Sequence, residues 1–222
     1  MASFTGILLP LLLLATTSPL TSAFEYNTFD GPGFPSCHNV TTILNATSIA
    51  DIQAAVQSAS ASGSRIRAAG KGHMWYDTQC SDAATTIVRT EGVARISDFS
   101  LPAGADSGTV WVEAGVTFFQ LAEYLHERGA SVGYTLTNWN ITFGGSVAMG
   151  AHRSSIREES MVAAGVVEME IVDGKGEVRR LSKEGGGDEW FAASTSLGLL
   201  GVIVRLRLRV YPDTKVYAKQ VT

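Results

Sequence analysis

The chain has 222 residues and a formal net charge of −4, with acids and bases spread along its length. That length supplies one domain with a substantial core, or part of a larger enzyme, and one domain is expected. There is no basic footprint for nucleic acid, so an anionic ligand has to be held by backbone N–H groups and a few basic side chains.

The N-terminus reads MASFTGILLPLLLLATTSPLTSAFEY, an apolar run from Ile7 to Ala15 followed by small polar residues ending in Thr21, Ser22 and Ala23. This is the pattern of a secretory signal, residues 1–23, cleaved after Ala23, although no basic residue precedes the run; the alternative is a buried N-terminal helix. The run is too short to span a bilayer and Pro10 interrupts it, so no membrane association is expected once the signal is removed. Three glycosylation sequons, at Asn39, Asn45 and Asn140, agree with an extracellular location. So do the two cysteines of the mature chain, Cys37 and Cys80, an even number for an oxidising compartment. Paired, they close a loop of about 43 residues, for which chain entropy gives about 4 kcal/mol. The alternative is two unpaired buried thiols.

Residues 24–38, with Gly31, Pro32, Gly33 and Pro35, read as an irregular leader. TTILN is a short strand before a helix capped by Ser48 with Asp51 at the third helical position, a capping box. Ile49, Ile52, Val56 and Ala59 repeat at three-and-four spacing, so one face is buried, and Gly63 ends the helix. RIRAA then completes a strand, helix, strand passage of βαβ size. TTIVRT and TVWVEAG are strands by their β-branched and aromatic content. Thr117 and Gln120 repeat the capping box for a helix through Leu121 and Leu125 to a stop at Gly129, a second βαβ-like passage. VVEMEIVDGKGEVRRLS is a hairpin turning through Asp173, Gly174 and Gly176. DEWFAAS is a short helix with Asp188 as its cap. GVIVRLRLRVYP alternates Leu206, Leu208 and Val210 against Arg205, Arg207 and Arg209, a strand with one face buried and its arginines on a solvated face. The class is mixed α and β.

Two glycine clusters carry the chemistry. Gly70 and Gly72 close RIRAAGKGH, where missing Cβ atoms admit a ligand and successive N–H groups can point into one concavity that suits phosphate; alone, the same residues also make an ordinary tight turn. About seventy residues on, by rough sequence separation, Gly144, Gly145 and Ser146 through Gly150, Ala151 and His152 to Ser155 supply further N–H groups and hydroxyl donors, so two loops could grip one dinucleotide. The four histidines and two cysteines show no metal-ligand spacing, and no metal is expected.

RAAGKGHMW, TFGGSVAMGAHRSS and DEWFAASTSLGLLGVIVRLRLRVYP, in that order, resemble the FAD-dependent oxidases of the vanillyl-alcohol oxidase and p-cresol methylhydroxylase type, closest to the sugar-lactone branch of D-arabinono-1,4-lactone and L-gulonolactone oxidases. The resemblance spans residues 39–212. It implies an α+β FAD-binding domain of two α+β subdomains, with Gly70, Lys71, Gly72, His73 and Met74 as the pyrophosphate loop. Thr142, Gly144, Gly145, Ser146, Met149 and Gly150 would follow the pyrophosphate and ribityl chain, and the backbone at Val202 and Ile203 would meet the adenine. His73 falls where many members attach the flavin 8α-methyl group through an imidazole nitrogen; others hold FAD without a bond. His152 is implied as a hydrogen-bonding group behind the site, while His38 and His126 read as leader and helix-surface residues.

This sequence departs from the pattern at Lys71, where a small or apolar residue is commoner; it either pairs with a phosphate or projects to solvent. No cysteine-bearing second flavin motif is present, so attachment at two points is not expected. Residues 213–222 read as the start of a connection to a substrate domain that the resemblance calls for and the sequence does not contain. The implied function is a secreted FAD-dependent oxidase domain, taking a hydride from an alcohol carbon of a sugar, lactone or related small molecule with oxygen as acceptor. A truncated FAD-binding module without turnover and a degenerate glycosylated interaction domain are the alternatives. Neither a catalytic base nor an oligomeric state is legible.

Overall fold

The computed structural model describes residues 24–27, 36–73, 76–77, 80–133, 136–154, 159–215 and 219. The expected signal peptide, residues 28–35 of the leader and Met74 lie outside the described residues.

The architecture is α+β, two sheets with helices against them. The first sheet holds β1 (Phe24–Asn27), β2 (Ser36–Asn45), β3 (Arg65–Ala69) and β4 (Thr85–Arg89) in the order β1-β2-β4-β3. The leader is therefore not wholly irregular: β1 pairs antiparallel with the start of β2, Tyr26 opposite Cys37. Helix α1 (Ile49–Ser62) links β2 to β3, and its capping box forms as the sequence predicts, Ser48 accepting from Asp51 N while the Asp51 carboxylate accepts from Ser48 N. Gly63 closes it in the left-handed region at φ 69°. Strands β2 and β3 are both parallel to β4, which inserts between them, so the expected βαβ unit skips one position in the sheet.

The second sheet runs β5-β6-β10-β8-β9 and is antiparallel throughout: β5 (Ile96–Ser100), β6 (Gly108–Glu113), β8 (Val166–Val172), β9 (Val178–Ser182) and β10 (Val202–Pro212). Strand β5 has no clear sequence signal. Helix α2 (Phe118–His126) carries the second capping box, but its C-cap is Glu127, two residues before Gly129. It leads into β7 (Ala130–Ser131), a two-residue strand on the far end of β10, so the second βαβ-like passage is vestigial. Helix α3 (Phe143–Ala148) and a 3-10 turn, Val162–Gly165, precede the β8–β9 hairpin. Helix α4 (Gly187–Ala193) is not capped by Asp188: Gly186 holds the cap position without a side-chain bond. Asp188 and Glu189 lie in its first turn, where negative charge suits the helix dipole.

The arginines of β10 are less solvated than the alternation implies. Arg207 Nη1 donates to Glu168 Oε1 at 2.6 Å and Arg205 Nη1 to Glu170 Oε2 at 3.3 Å, while Arg205 also lies over the Trp111 ring. Arg180 meets Glu168 from β9. Desolvation raises the Glu168 carboxyl, but the hydrogen bonds from Arg207 and Arg180 outweigh it and hold its pKa below the usual value.

The apolar core falls into three clusters. The largest packs the inner face of the second sheet against α2, α3 and α4. The second joins the two sheets, with Ile52 and Val56 of α1 and Val88 of β4 against Val172, Val202 and Val204. Each buried aliphatic side chain of this seam contributes about 1.5–3 kcal/mol, so the sheets are held at a fixed spacing. Gln53 Nε2 adds a 2.8 Å bond to Gly176 O in the β8–β9 turn. The third surrounds the Cys37–Cys80 disulfide with Tyr26, Val40, Ala69 and Ile87.

Candidate cofactor site

Where β3 leaves its sheet, buried Thr90 takes hold of the last strand carbonyl: its N–H donates to Ala69 O at 2.9 Å and its hydroxyl to the same oxygen at 3.3 Å. The chain then turns through Gly70, Lys71 and Gly72, with Gly72 at φ 74°, a conformation that only glycine adopts without strain. The N–H groups of Gly70, Lys71 and Gly72 donate to no group among the described residues. Three successive donors of this kind form a cradle for an anion.

The second glycine cluster approaches this turn from the other sheet. Thr142 caps α3, its hydroxyl accepting from Gly145 N at 3.4 Å, and Ser146 Oγ donates to Thr142 O at 2.8 Å. Phe143 N and Gly144 N donate to Val116 O and Ala114 O, both at 2.9 Å. The exposed N–H groups expected of Gly144 and Gly145 are therefore engaged inside the protein. A Cβ at Gly144 would lie 2.7 Å from Ala114 Cβ, and one at Gly70 would overlap Thr142 Oγ1. Much of the glycine requirement in both clusters comes from chain packing on chain, so that the two loops meet.

Between the loops lies one cavity of about 720 Å³, at the seam between the sheets. Eleven of the residues singled out from sequence line it: Gly70, Lys71, Gly72, His73, Thr142, Gly144, Gly145, Ser146, Met149, Val202 and Ile203. Gly150 and His152 do not. Gly150 turns at φ 68° against Thr195, and exposed His152 sits in a bridge with Met161 and contacts Arg153 O at 3.2 Å. The sequence reading missed Thr90, Arg67, Asn138, the Val172–Gly174 edge and the Leu197–Gly201 wall. SLGLLG was the one signal that could have found the last: Leu197, Leu199 and Leu200 are exposed leucines between glycines, which a soluble surface seldom displays together.

His73 Nε2 is 3.1 Å from the backbone oxygen of Asn140, which can only accept, so Nε2 donates in this contact. Lys71 Nζ is not loose in solvent but lies 3.1 Å from Glu91 Oε2. Arg89 holds the other Glu91 oxygen, its Nε at 3.0 Å. Desolvation of Glu91 raises its pKa, yet the bonds from Arg89 and Lys71 prevail and lower it. A second, shallower cavity of about 670 Å³ adjoins the first, sharing Lys71 and Asn138 and displaying Phe119 and Trp139. Among the described residues no three His, Cys, Asp or Glu side chains are grouped to hold a metal.

The chemistry of the main cavity is that of a dinucleotide site. N–H groups without an acceptor among the described residues and two cations, Arg67 and Lys71, suit a charged diphosphate, and walls of Ile66, Ile141, Leu199, Val202 and Ile203 suit flat ring systems. Together with the two-sheet α+β fold, these features are those of a protein suited to hold a nucleotide cofactor between its sheets. Residues 40–182 match the FAD binding domain family, and the chain belongs to that family; its cofactor is FAD. It is 32% identical over 172 residues to L-gulono-1,4-lactone dehydrogenase of Mycobacterium tuberculosis, covering 77% of this chain and 37% of that protein. It is 30% identical over 173 residues to D-arabinono-1,4-lactone oxidase of Kluyveromyces lactis, covering 78% and 32%. A probable L-gulonolactone oxidase of Arabidopsis thaliana is 30% identical over 182 residues, covering 76% and 29%. The chain thus spans about a third of the length of the curated relatives it matches.

Proposed function

We propose that the chain is the cofactor-holding part of a secreted oxidase that removes a hydride from an alcohol carbon of a sugar, lactone or related small molecule. The observation that carries this is the cavity in which the Gly70–Gly72 donors, the α3 loop and the Val202–Ile203 strand end meet. The relatives' names supply the substrate class. When bound, FAD supplies the hydride acceptor at its flavin ring and passes the electrons to oxygen. The protein's own residues do the holding. Gly70, Lys71 and Gly72 would receive the diphosphate, Thr142 and Ser146 fix the opposite loop, and the apolar strand end would take the adenine. His73 stands directly behind the Gly70–Gly72 turn on the wall of the cavity, and we assign it as the point of flavin attachment.

Secretion is supported by the apolar N-terminus, by the disulfide and by Asn45, which stands exposed at the end of β2. Asn39 is half-buried and its amide donates to Ser81 O at 3.3 Å, so Asn45 is the better glycan acceptor. Mass mapping of protein secreted by a eukaryotic host reads all three assignments. The expected result is an N-terminus at Phe24, a glycan on Asn45, and the mass of FAD on the His73 peptide, lost in His73→Ala and kept in His152→Ala. Flavin released in full on denaturing the wild-type protein would remove the covalent assignment, and retained Met1 without glycan would remove secretion.

A further inference from the structure

We infer that Lys71 is a diphosphate-binding residue held in reserve on Glu91, and that Glu91 thereby sets how tightly this protein holds its cofactor. The inference rests on the cavity being the FAD site. Lys71 lies between the two glycines of the cradle, so its backbone N–H and its ammonium belong to the same turn, and its side chain borders both cavities. Its ammonium is on Glu91 Oε2 at 3.1 Å, while Arg89 occupies Oε1. That division of the carboxylate matters. When Lys71 leaves, Glu91 still has a guanidinium partner and is not stranded as an unpaired charge. The pair is at the edge of water, with side-chain exposures of 36% for Lys71 and 27% for Glu91, so exchanging one anion for another there meets little desolvation penalty. A diphosphate seated on the cradle N–H groups offers two negative charges against the one of Glu91, and attraction grows with charge at equal distance. Lys71 then moves from carboxylate to phosphate, and Glu91 acts as a competitor of the cofactor for one cation.

The other cation on the wall, Arg67, is on β3 ahead of the turn, and its Nη1 donates to Ile66 O at 3.1 Å. If Arg67 carried the phosphate charge alone, Lys71 would be silent. The test is the dissociation constant for FAD, read by flavin fluorescence in a His73→Ala background so that no bond to the flavin forms. Lys71→Met should weaken binding about tenfold, the usual order for a charge-assisted contact. Glu91→Gln should tighten it about threefold by freeing Lys71, and should have no effect once Lys71→Met is present, the non-additivity expected of a coupled pair. The Lys71 effect should shrink in high salt. A Lys71→Met protein that binds like its parent, or a Glu91→Gln effect that survives without Lys71, would overturn the inference. A parent that binds no FAD at all would instead overturn the cavity assignment beneath it.

Discussion

Replacing Phe143 by alanine should unfold the cofactor side of the molecule first and lower stability by about 3–5 kcal/mol, the usual cost of truncating a fully buried aromatic side chain. Phe143 is the first residue of α3, directly after the Thr142 cap, and only 2% of it is exposed. Its ring stacks on Phe118, the first residue of α2, with centroids 3.9 Å apart and planes 24° from parallel. One contact therefore joins the starts of both helices, and such ring pairs add roughly 0.5–1.5 kcal/mol beyond their area. For a chain of this size the loss corresponds to a fall in melting temperature of about 6–20 °C. FAD affinity should fall as well, because the loop that Phe143 anchors lines the cavity. A thermal melt within a degree or two of wild type would show that the stacked pair does not hold the loops together.

The second large effect is expected from Cys37→Ser with Cys80→Ser. The disulfide closes a separation of 43 residues that includes all of α1 and β3, and removing it should destabilise the protein by about 4 kcal/mol through the freedom returned to the unfolded chain. Cys37 is 2% exposed in a cluster with Tyr26, Val40, Ala69 and Ile87, so the vacated site also loses packing around β1 and the exit of β3. Urea unfolding of the oxidised protein against the double variant should show the midpoint moving well below wild type with the slope little changed. Equal midpoints would mean that the crosslink restrains nothing the fold does not already hold.

The parts of the fold that were legible in the sequence are those governed by contacts within a few residues. Both capping boxes, the Asp173–Gly176 hairpin and the one-sided burial of β10 depend on local hydrogen bonds and on period, and all are present. What was not legible depends on partners far along the chain. Strand β4 inserts between β2 and β3, a choice that no local pattern records, and β5 has a weak alternation that only pairing with β6 makes into a strand. The same division holds at the cavity. The two glycine clusters were visible as loops, but that Gly70 is glycine because Thr142 packs on it, and that Lys71 sits on Glu91, emerge only when both sheets are in place. Gly144 shows the limit most clearly: a glycine in the right motif, yet its N–H is spent on Ala114 rather than offered to a ligand.

The central claim is that FAD occupies the cavity between the sheets, and the most direct measurement is the melting temperature of flavin-free protein as FAD is added. A ligand that binds only the folded state at a hundred times its dissociation constant stabilises by about 2.7 kcal/mol, which for a chain of this length is a rise of about 5–11 °C. The rise should continue with the logarithm of FAD concentration, and it should vanish in Gly70→Val, whose side chain collides with Thr142 and disrupts the meeting of the two loops. A melting temperature that ignores FAD at every concentration, in protein that is folded and carries no flavin of its own, would contradict the account.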